Sequence, residues 1–176
     1  MRSIPIVVLV DTREKRPLLF PSHITCETIK DGKIKRVLIP VKTKKQKLDY
    51  GDYSIEGLES CCVIERKGSI QEIEKNLYDS KDAVRTGKAF KRLTDGCKFP
   101  YLLLEITPSA MVRSSLQIDG GCPEGLIHRL SMVVAKYNLR TFWVSKPTSS
   151  SSRRSLGTAL LHLMVAHGIQ DKKLII

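Results

Sequence analysis

The sequence predicts an α/β protein, a three-layer α/β/α sandwich with a central mixed sheet. Apolar runs without polar alternation, at residues 4–10 and 101–106, indicate strands that are covered on both faces. Segments with apolar residues at helical spacing lie between such strands, as at residues 124–136. Strands that alternate with helices along a chain are typical of a sheet with helices on both sides.

The first half of the chain supplies most of the predicted strands. The run IPIVVLV (4–10) is rich in β-branched residues and predicts the first strand. Residues 23–48 are rich in Lys and Arg around a short apolar insert, VLIPV, and we expect an irregular strand and a mobile basic loop there. The runs LDYGDYSIEG and CCVIERKG, separated by a turn at Gly57, indicate an antiparallel hairpin.

A capping pattern marks the start of the first helix. Ser69 and Glu72 stand in the S-x-x-E arrangement of a capping box. In the segment that follows, Ile70, Ile73 and Leu77 recur at helical spacing and predict one apolar face.

Three further segments complete the predicted order of elements. KDAVRTGKAFKRLTDG indicates a second helix, interrupted near Gly87 and ended by its final Asp-Gly pair. LRTFWVS (139–145) indicates a strand, and the serine run 149–152 supplies the cap of a last helix that Gly168 ends. The apolar face predicted for that helix comprises Leu156, Ala159, Leu160 and Leu163.

Composition restricts the classes of partner and compartment. A chain of 176 residues is expected to form one domain, 1–176, and it has no apolar run near the ~18 residues of a membrane span. The net charge of +12 favours a polyanionic partner such as nucleic acid, although a merely solvated lysine-rich surface is the alternative. Five cysteines without C-x-x-C spacing indicate an intracellular, reducing compartment: the cytoplasm, or the nucleus of a eukaryotic or virus-infected cell.

Charged residues interrupt the buried strand CVIERKG. Side chains alternate along a strand, so Glu65 and Lys67 project to one face and Arg66 to the other. If the hairpin forms, Asp52 lies beside them, and Asp11 stands where the first strand ends. Strand ends are where open α/β sheets gather ligands.

This grouping of acids around a lysine predicts a metal site. Three carboxylates near one lysine repel one another unless a cation joins them, and oxygen ligands suit Mg²⁺ or Mn²⁺. Such a site supports hydrolysis of a phosphodiester, in which the lysine orients or helps to deprotonate water or neutralises the phosphate. The alternative for Glu65-Arg66-Lys67 alone is a solvated edge strand.

Several of these motifs together resemble a known family. DTRE (11–14), GDY (51–53) and VIERKGSIQEI (63–73) are similar to the nuclease domain of the XPF–Hef–Mus family of structure-specific DNA endonucleases. NLYDSK (76–81), YLLLEI and LRTFWVS extend the resemblance over nearly the whole chain. The resemblance implies a restriction-endonuclease-like fold, a role in DNA repair or recombination, and metal-dependent cleavage of branched, flapped or forked DNA.

The resemblance also assigns roles to individual residues. It implies that Asp11, Asp52 and Glu65 are the metal-binding acids and that Lys67 is the catalytic lysine. Arg13 and Arg66 would be supporting arginines of the catalytic set. For Glu14, which matches the acid of the family's D-x-R-E motif, a salt bridge or cap competes with metal ligation.

The chain departs from the family's pattern at two points. Where the family has its last Asp, this sequence has Gln71, with Glu72 one residue later. One residue turns a helical side chain by about a third of a turn, so Glu72 is a poor substitute and a capping role is preferred. The second departure is that no tandem helix-hairpin-helix module follows, so DNA grip and dimerisation would come from basic loops, a partner or an interface of the nuclease domain.

Two basic clusters are candidates for phosphate contacts. Such contacts give affinity without sequence preference, and a solvated lysine face is the alternative for each cluster. The candidate DNA-binding residues are Lys42, Lys44, Lys45 and Lys47 in the first cluster and Arg85, Lys88, Lys91 and Arg92 in the second.

The expected function is therefore a divalent-metal-dependent DNA endonuclease, and two rivals are considered. The first is a catalytically silent DNA-binding or scaffold subunit of a nuclease dimer, which Gln71 favours and the retained acids disfavour. The second is a general RNA-binding protein, for which the few aromatic residues, 6% of the chain, supply no stacking platform. A homodimer or heterodimer could form through the last helix (Leu156, Leu160, Leu163, Met164) or through 124–136, unless these faces simply cover the sheet.

Overall fold

The computed structural model describes residues 5–30, 32–113 and 122–175. A seven-stranded sheet with the strand order β2-β3-β1-β4-β5-β6-β7 runs through this part of the chain. The strands are β1 (Ile6–Val10), β2 (His23–Lys30), β3 (Lys33–Lys45), β4 (Tyr53–Ile55), β5 (Cys62–Lys67), β6 (Phe99–Leu104) and β7 (Arg140–Trp143). The helices are α1 (Ile70–Tyr78), α2 (Ser80–Gly96), α3 (Pro108–Val112), α4 (Pro123–Lys136) and α5 (Ser150–Gln170).

The sheet is mixed, as the sequence predicts. β1 pairs in parallel with β3, and β5, β6 and β7 form a parallel set. β4 is antiparallel to both β1 and β5, so the carboxyl ends of β1, β5, β6 and β7 lie at one edge of the sheet. The predicted hairpin is present as β4 and β5, and Gly57 takes a positive φ of 82° in the turn between them. Position 4, included in the predicted first strand, lies outside the described residues.

Helices cover the two faces of the sheet unequally. On one face, α5 packs Leu160, Leu161 and Met164 against apolar residues from β1 to β6. On the other face, α1, α2 and α4 cover β5 and β6, with Phe90 and Leu126 in that second core. This arrangement confirms the predicted three-layer α/β/α sandwich.

The basic segment 23–48 was predicted to be irregular, and that prediction is wrong. Its residues form two regular strands, β2 and β3, paired from His23↔Pro40 to Lys30↔Lys33. The many lysines conceal the pattern because alternate positions of β3, such as Ile39 and Val41, are the ones that are buried.

Two details of the predicted helices also need correction. α2 runs through Gly87 without interruption, and a Cβ at that position would approach the Tyr137 hydroxyl of the α4 C-cap residue at 3.2 Å. α5 continues past Gly168 to Gln170, and Ala159, predicted on its apolar face, is exposed.

Other helix predictions are confirmed. Ser149 caps α5 through a capping box with Ser152. In α1, Ser69 is the N-cap and Ile73 is buried. Leu160 and Met164 cover the sheet rather than forming a free apolar face, as the simpler alternative held. In the described part of the chain, no helix has the length and apolarity needed to cross a membrane.

Candidate active site

Four of the predicted site residues lie at the edge where β1 and β5 end. Asp11 follows β1, and its backbone N–H donates to the Asp52 carbonyl at 2.9 Å. The β4–β5 register pairs Tyr53 with Ile64, so Asp52 lies opposite Glu65. Lys67 is the last residue of β5, and its Nζ lies 2.9 Å from Glu65 Oε1. The predicted alternation of Glu65 and Lys67 on one side of the strand is thus confirmed.

A glycine allows Asp52 to reach this position. Gly51 has a φ of +72°, and a Cβ there would lie 2.2 Å from Val63 Cγ1 and 3.2 Å from the Ile64 carbonyl oxygen. Any other residue would push the chain away from β5, because real side chains do not approach so closely. Gly51 therefore serves the close packing of two backbones and, through it, the placement of Asp52.

Among the described residues, the Asp52 carboxyl is bound by a backbone N–H and not by a cationic side chain. Its Oδ2 accepts a hydrogen bond of 2.7 Å from the Arg66 backbone N–H. Burial, followed by repulsion from Glu65, nevertheless raises the pKa of Asp52 to about 8. Two neighbouring carboxylates that cannot both ionise easily are typical of a site that binds a cation.

Lys67 is held by two acids. Besides Glu65, its Nζ lies 3.4 Å from Glu72 Oε1. Burial by itself would lower the pKa of Lys67, but Glu65 and Glu72 more than offset that effect and the pKa is raised. Lys67 consequently carries its charge at neutral pH.

Glu72 has both a capping contact and a place in the site. Ser69 Oγ accepts from the Glu72 backbone N–H at 3.2 Å, and Glu72 Oε2 accepts from the Gly68 N–H at 2.9 Å. The capping role preferred from the sequence is present, except that the backbone N–H that donates to Glu72 is that of Gly68, one residue before the N-cap Ser69. Gln71 is exposed. The contact with Lys67 is an addition that the sequence pattern did not indicate.

Asp11 is already paired inside the protein. The Arg13 guanidinium donates to both carboxylate oxygens, at 2.6 Å to Oδ1 and 3.0 Å to Oδ2. The Leu48 N–H adds a bond of 2.7 Å to Oδ2. Burial would raise the pKa of Asp11, yet the bonds from Arg13 and Leu48 leave the pKa below its ordinary value.

Arg66 lies on the opposite side of β5 and forms a buried ion-paired group. Its Nη1 lies 3.0 Å from Glu14, and its Nε and Nη2 each lie 2.7 Å from Glu105. This contact agrees with the salt-bridge alternative for Glu14. Glu105, which follows β6, was missed by sequence reasoning, although an acid directly after the apolar run YLLL was an available signal.

The residues at this edge fit a divalent cation in part. Asp52 and Glu65 are adjacent oxygen donors whose repulsion a cation would relieve. Asp11 would have to exchange Arg13 for the cation, and the Arg13 side chain is 60% exposed and free to move outward. Within the described ranges no group of three His, Cys, Asp or Glu side chains is close enough to hold a metal ion. Metal ligation by the three acids therefore stays a prediction.

A polar cavity of about 500 Å³ lies beside the site. Loops after β1, β5, β6 and β7 form its walls, as expected for the carboxyl edge of a sheet. Besides Arg66, four basic residues line the cavity: Lys15, Arg16, Lys146 and Arg153. The sequence prediction did not include these four among the phosphate contacts. The Lys-Pro-Thr segment after β7 and the basic pair at the start of α5 were the available signals.

The predicted DNA-binding residues are exposed but differently placed. Lys45 pairs in register with Val10, so the β3 lysines end beside Asp11. Lys44 is ion-paired with Glu56 at 2.7 Å. The members of the second cluster lie on α2, where Arg85 and Lys91 pair with Asp82 and Asp95. Lys42, Lys47, Lys88 and Arg92 are exposed as well.

Solved structures share this fold. XPF from Aeropyrum pernix superposes with a TM-score of 0.56 at 18% identity, covering 97% of this chain and 65% of that one. The structure of XPF from the same organism in complex with DNA gives a TM-score of 0.55 at 18% identity, covering 97% and 68%. No protein-family model matches the sequence, and no curated protein does so. The fold implied by the motifs is thereby confirmed.

Proposed function

We propose that this protein is a divalent-metal-dependent endonuclease that hydrolyses phosphodiester bonds in branched, flapped or forked DNA. The observation that carries the proposal is the group formed by Asp52, Glu65 and Lys67 at the carboxyl edge of the sheet. Its support comes from a fold shared with XPF, one structure of which contains DNA, although this chain spans only 65% of the length of the first of those structures.

The residues of the group have complementary tasks in this proposal. Asp52 and Glu65 would hold Mg²⁺ or Mn²⁺, which when bound polarises a phosphate oxygen and lowers the pKa of a coordinated water. Lys67 is charged, so it neutralises the phosphate and orients the nucleophile rather than accepting its proton. Cleavage leaves 5′-phosphate and 3′-hydroxyl ends. The basic residues of β3 and of the polar cavity would hold the flanking phosphates.

The test is cleavage of labelled flap, fork and duplex DNA with Mg²⁺ or Mn²⁺. Glu65→Ala and Lys67→Ala are each expected to reduce cleavage by about 100-fold or more, because each removes a group that meets the reacting phosphate. Glu124→Ala and Lys136→Ala, which remove exposed charges from α4, are matched controls and should leave the rate unchanged. Cleavage that survives both site substitutions would overturn the proposal, and so would cleavage by the wild type in the absence of any divalent metal.

A catalytically silent DNA-binding subunit is the second candidate. The observation that favours it is the engagement of Asp11 by Arg13, which takes one predicted metal ligand out of the site. Binding of branched DNA without cleavage, under every metal tested, would select this candidate. Arg13→Ala separates the two, because freeing Asp11 should increase Mn²⁺ affinity only if the acids form a metal site.

A further inference from the structure

β2 and β3 form a ribbon that extends past the rest of the sheet. Residues 41–45 of β3 pair with β1, whereas residues 33–40 pair with β2. At about 3.3 Å per residue, this two-stranded part of β3 is roughly 25 Å long. We refer to residues 23–40 as the β2–β3 ribbon.

The two faces of the ribbon differ in burial. On the side of α5, Ile24, Cys26 and Ile39 are buried and fix the base of the ribbon to the main core. On the opposite side, Ile29 and Ile34 form a directly opposed pair and are 80% and 67% exposed. Leu38, on the same side, is 61% exposed. Such a row of exposed aliphatic side chains marks an interaction surface.

The apolar row stands among basic residues. Between residues 27 and 36 the sequence has four basic residues and two acids. Lys33 and Lys35 are exposed but alternate to the face opposite Ile34. Arg36 shares the face of Ile34 and pairs with Glu27 at 2.9 Å through side chains that are 74% and 54% exposed. So exposed a pair is weak and can exchange Glu27 for a phosphate. A second copy of the same basic ribbon would be repelled, whereas a polyanion is attracted.

The exposed face of the ribbon continues to the candidate active site. The β1–β3 register pairs Lys42 with Val7 and Lys44 with Leu9, which places both lysines on the side of the sheet that Asp11 faces. Even-numbered positions of β3 share that side, Ile34 included. From Ile34 to Lys45, beside Asp11, eleven residues span roughly 36 Å. One turn of duplex DNA covers about the same distance, ~34–36 Å.

From these features we propose that the ribbon is a DNA-bending arm, an inference that rests on the proposed action on DNA. Ile29 and Ile34 insert between base steps of the duplex about one helical turn from the site of cleavage, while Arg36, which projects to the same face, contacts an adjacent phosphate. Isoleucine is among the side chains that proteins use as wedges, and partial unstacking bends the duplex. The spacing of one turn keeps wedge and acids on the same side of the DNA.

The experiment measures DNA binding and bending without cleavage, in Ca²⁺ or EDTA. A flap substrate carries a fluorophore at each end of its duplex, and 2-aminopurine at successive positions 8–12 base pairs from the junction reports unstacking. The double variant Ile29→Thr/Ile34→Thr is expected to lose most of the change in energy transfer and the 2-aminopurine signal. Its affinity should fall about tenfold with an unchanged salt dependence, because no phosphate contact is removed.

Matched variants distinguish insertion of the isoleucines from the loss of any exposed aliphatic side chain and from the loss of a phosphate contact. Val84→Thr removes an equally exposed aliphatic group, 60% exposed on α2, and should change neither signal. Arg36→Ala, which removes the basic side chain on the face of the wedge, should instead reduce the salt dependence by about one unit of slope. Thr is a good strand residue, so folding should be retained; if the double variant does not fold, Ile34→Thr alone with 2-aminopurine decides.

Clear results would overturn the inference. It fails if the double variant bends DNA as the wild type does, if the wild type does not bind DNA, or if the isoleucine substitutions only convert a dimer into a monomer in sedimentation. Bending by a protein that cleaves nothing would leave the arm established and refute the nuclease proposal alone. If the wild type cleaves DNA and the Ile29→Thr/Ile34→Thr variant bends it normally, the nuclease proposal stands and the bending arm is refuted.

Discussion

On one side of strand β5, the Arg66 guanidinium contacts Glu14 and Glu105 directly; the Glu105 side chain is buried, and those of Arg66 and Glu14 are only 13% and 10% exposed. On the other side, Lys67 contacts Glu65, while Asp52 receives only a backbone N–H and has a pKa raised to about 8 by burial and by Glu65. The same strand therefore carries a closed set of ion pairs that serves the fold and an open one that needs another cation. Burial of charge is therefore found both in a structural ion-paired group and in a candidate cation site. The carboxylate that lacks a cationic partner in the described part of the chain distinguishes the candidate site from the structural group.

The largest expected effect concerns the closed side. Arg66→Met leaves the buried Glu105 and the largely buried Glu14 without their arginine and should lower the free energy of unfolding by about 3–5 kcal/mol. Arg36→Met is the matched control, since it removes an arginine from a single exposed pair and should cost less than about 1 kcal/mol. Urea unfolding of both variants measures the difference. Equal losses would contradict the distinction between a buried structural group and a surface pair.

The next effect concerns the open side and depends on pH. The Asp52 pKa is raised from 3.8 to about 8, so between these values the folded protein keeps a proton that the unfolded chain has lost. The stabilising contribution of this carboxyl is complete at low pH and decreases as pH rises toward 8. Asp52→Asn cannot ionise, so in EDTA its stability relative to the wild type should increase by about 1–3 kcal/mol from pH 5 to pH 9.

Controls for this prediction use metal and an exposed acid. Mg²⁺ should stabilise the wild type more at pH 9 than at pH 5 and should have little effect on Asp52→Asn. Asp95→Asn, at a side chain that is 61% exposed, should show a flat difference across the same range. Chemical denaturation at each pH gives the free energies of unfolding. If those of wild type and Asp52→Asn change in parallel with pH, the Asp52 carboxyl does not have a raised pKa.

The smallest expected effect concerns Glu72, which contacts both the helix cap and Lys67 of the candidate site. Glu72→Ala removes the acceptor for the Gly68 N–H and one partner of Lys67, and should destabilise the protein by about 0.5–1.5 kcal/mol. Glu72→Gln keeps the acceptor and should recover most of that loss. Gln71→Ala, at an exposed position, is the neutral control. Thermal unfolding distinguishes a capping contribution, which Gln restores, from a purely ionic one, which it does not.

Local patterns predicted the open side of β5 well. The alternation of Glu65, Arg66 and Lys67 follows from strand geometry alone, and the hairpin that brings Asp52 opposite Glu65 is signalled by turn residues. Glu105 could not be assigned to Arg66 because the two are 39 residues apart and meet only through β5–β6 pairing. The capture of Asp11 by Arg13 depends in addition on the Leu48 backbone, which no sequence pattern indicates.

The errors in the fold have a similar physical origin. The lysine-rich segment that contains β3 was predicted as an irregular strand and a mobile loop, because a strand with only one buried face is recognised by alternate residues, and its exposed positions carry charges. Gly87 was expected to interrupt α2, yet a single Gly costs a helix only about 1 kcal/mol, and here the adjacent Tyr137 hydroxyl leaves little space for a larger residue. Tertiary packing decided both cases.

The alternation along β5 has a consequence for how this chain tolerates insertions and deletions. A gain or loss of one residue within residues 62–67 would exchange the two sides, turning Arg66 toward the acids and Lys67 toward Glu105. Both the ion-paired group and the candidate site would be lost in a single event. Changes of length in the outer part of the β2–β3 ribbon would leave both intact. Among related sequences, insertions and deletions should therefore be found in the β2–β3 ribbon and be absent from β5.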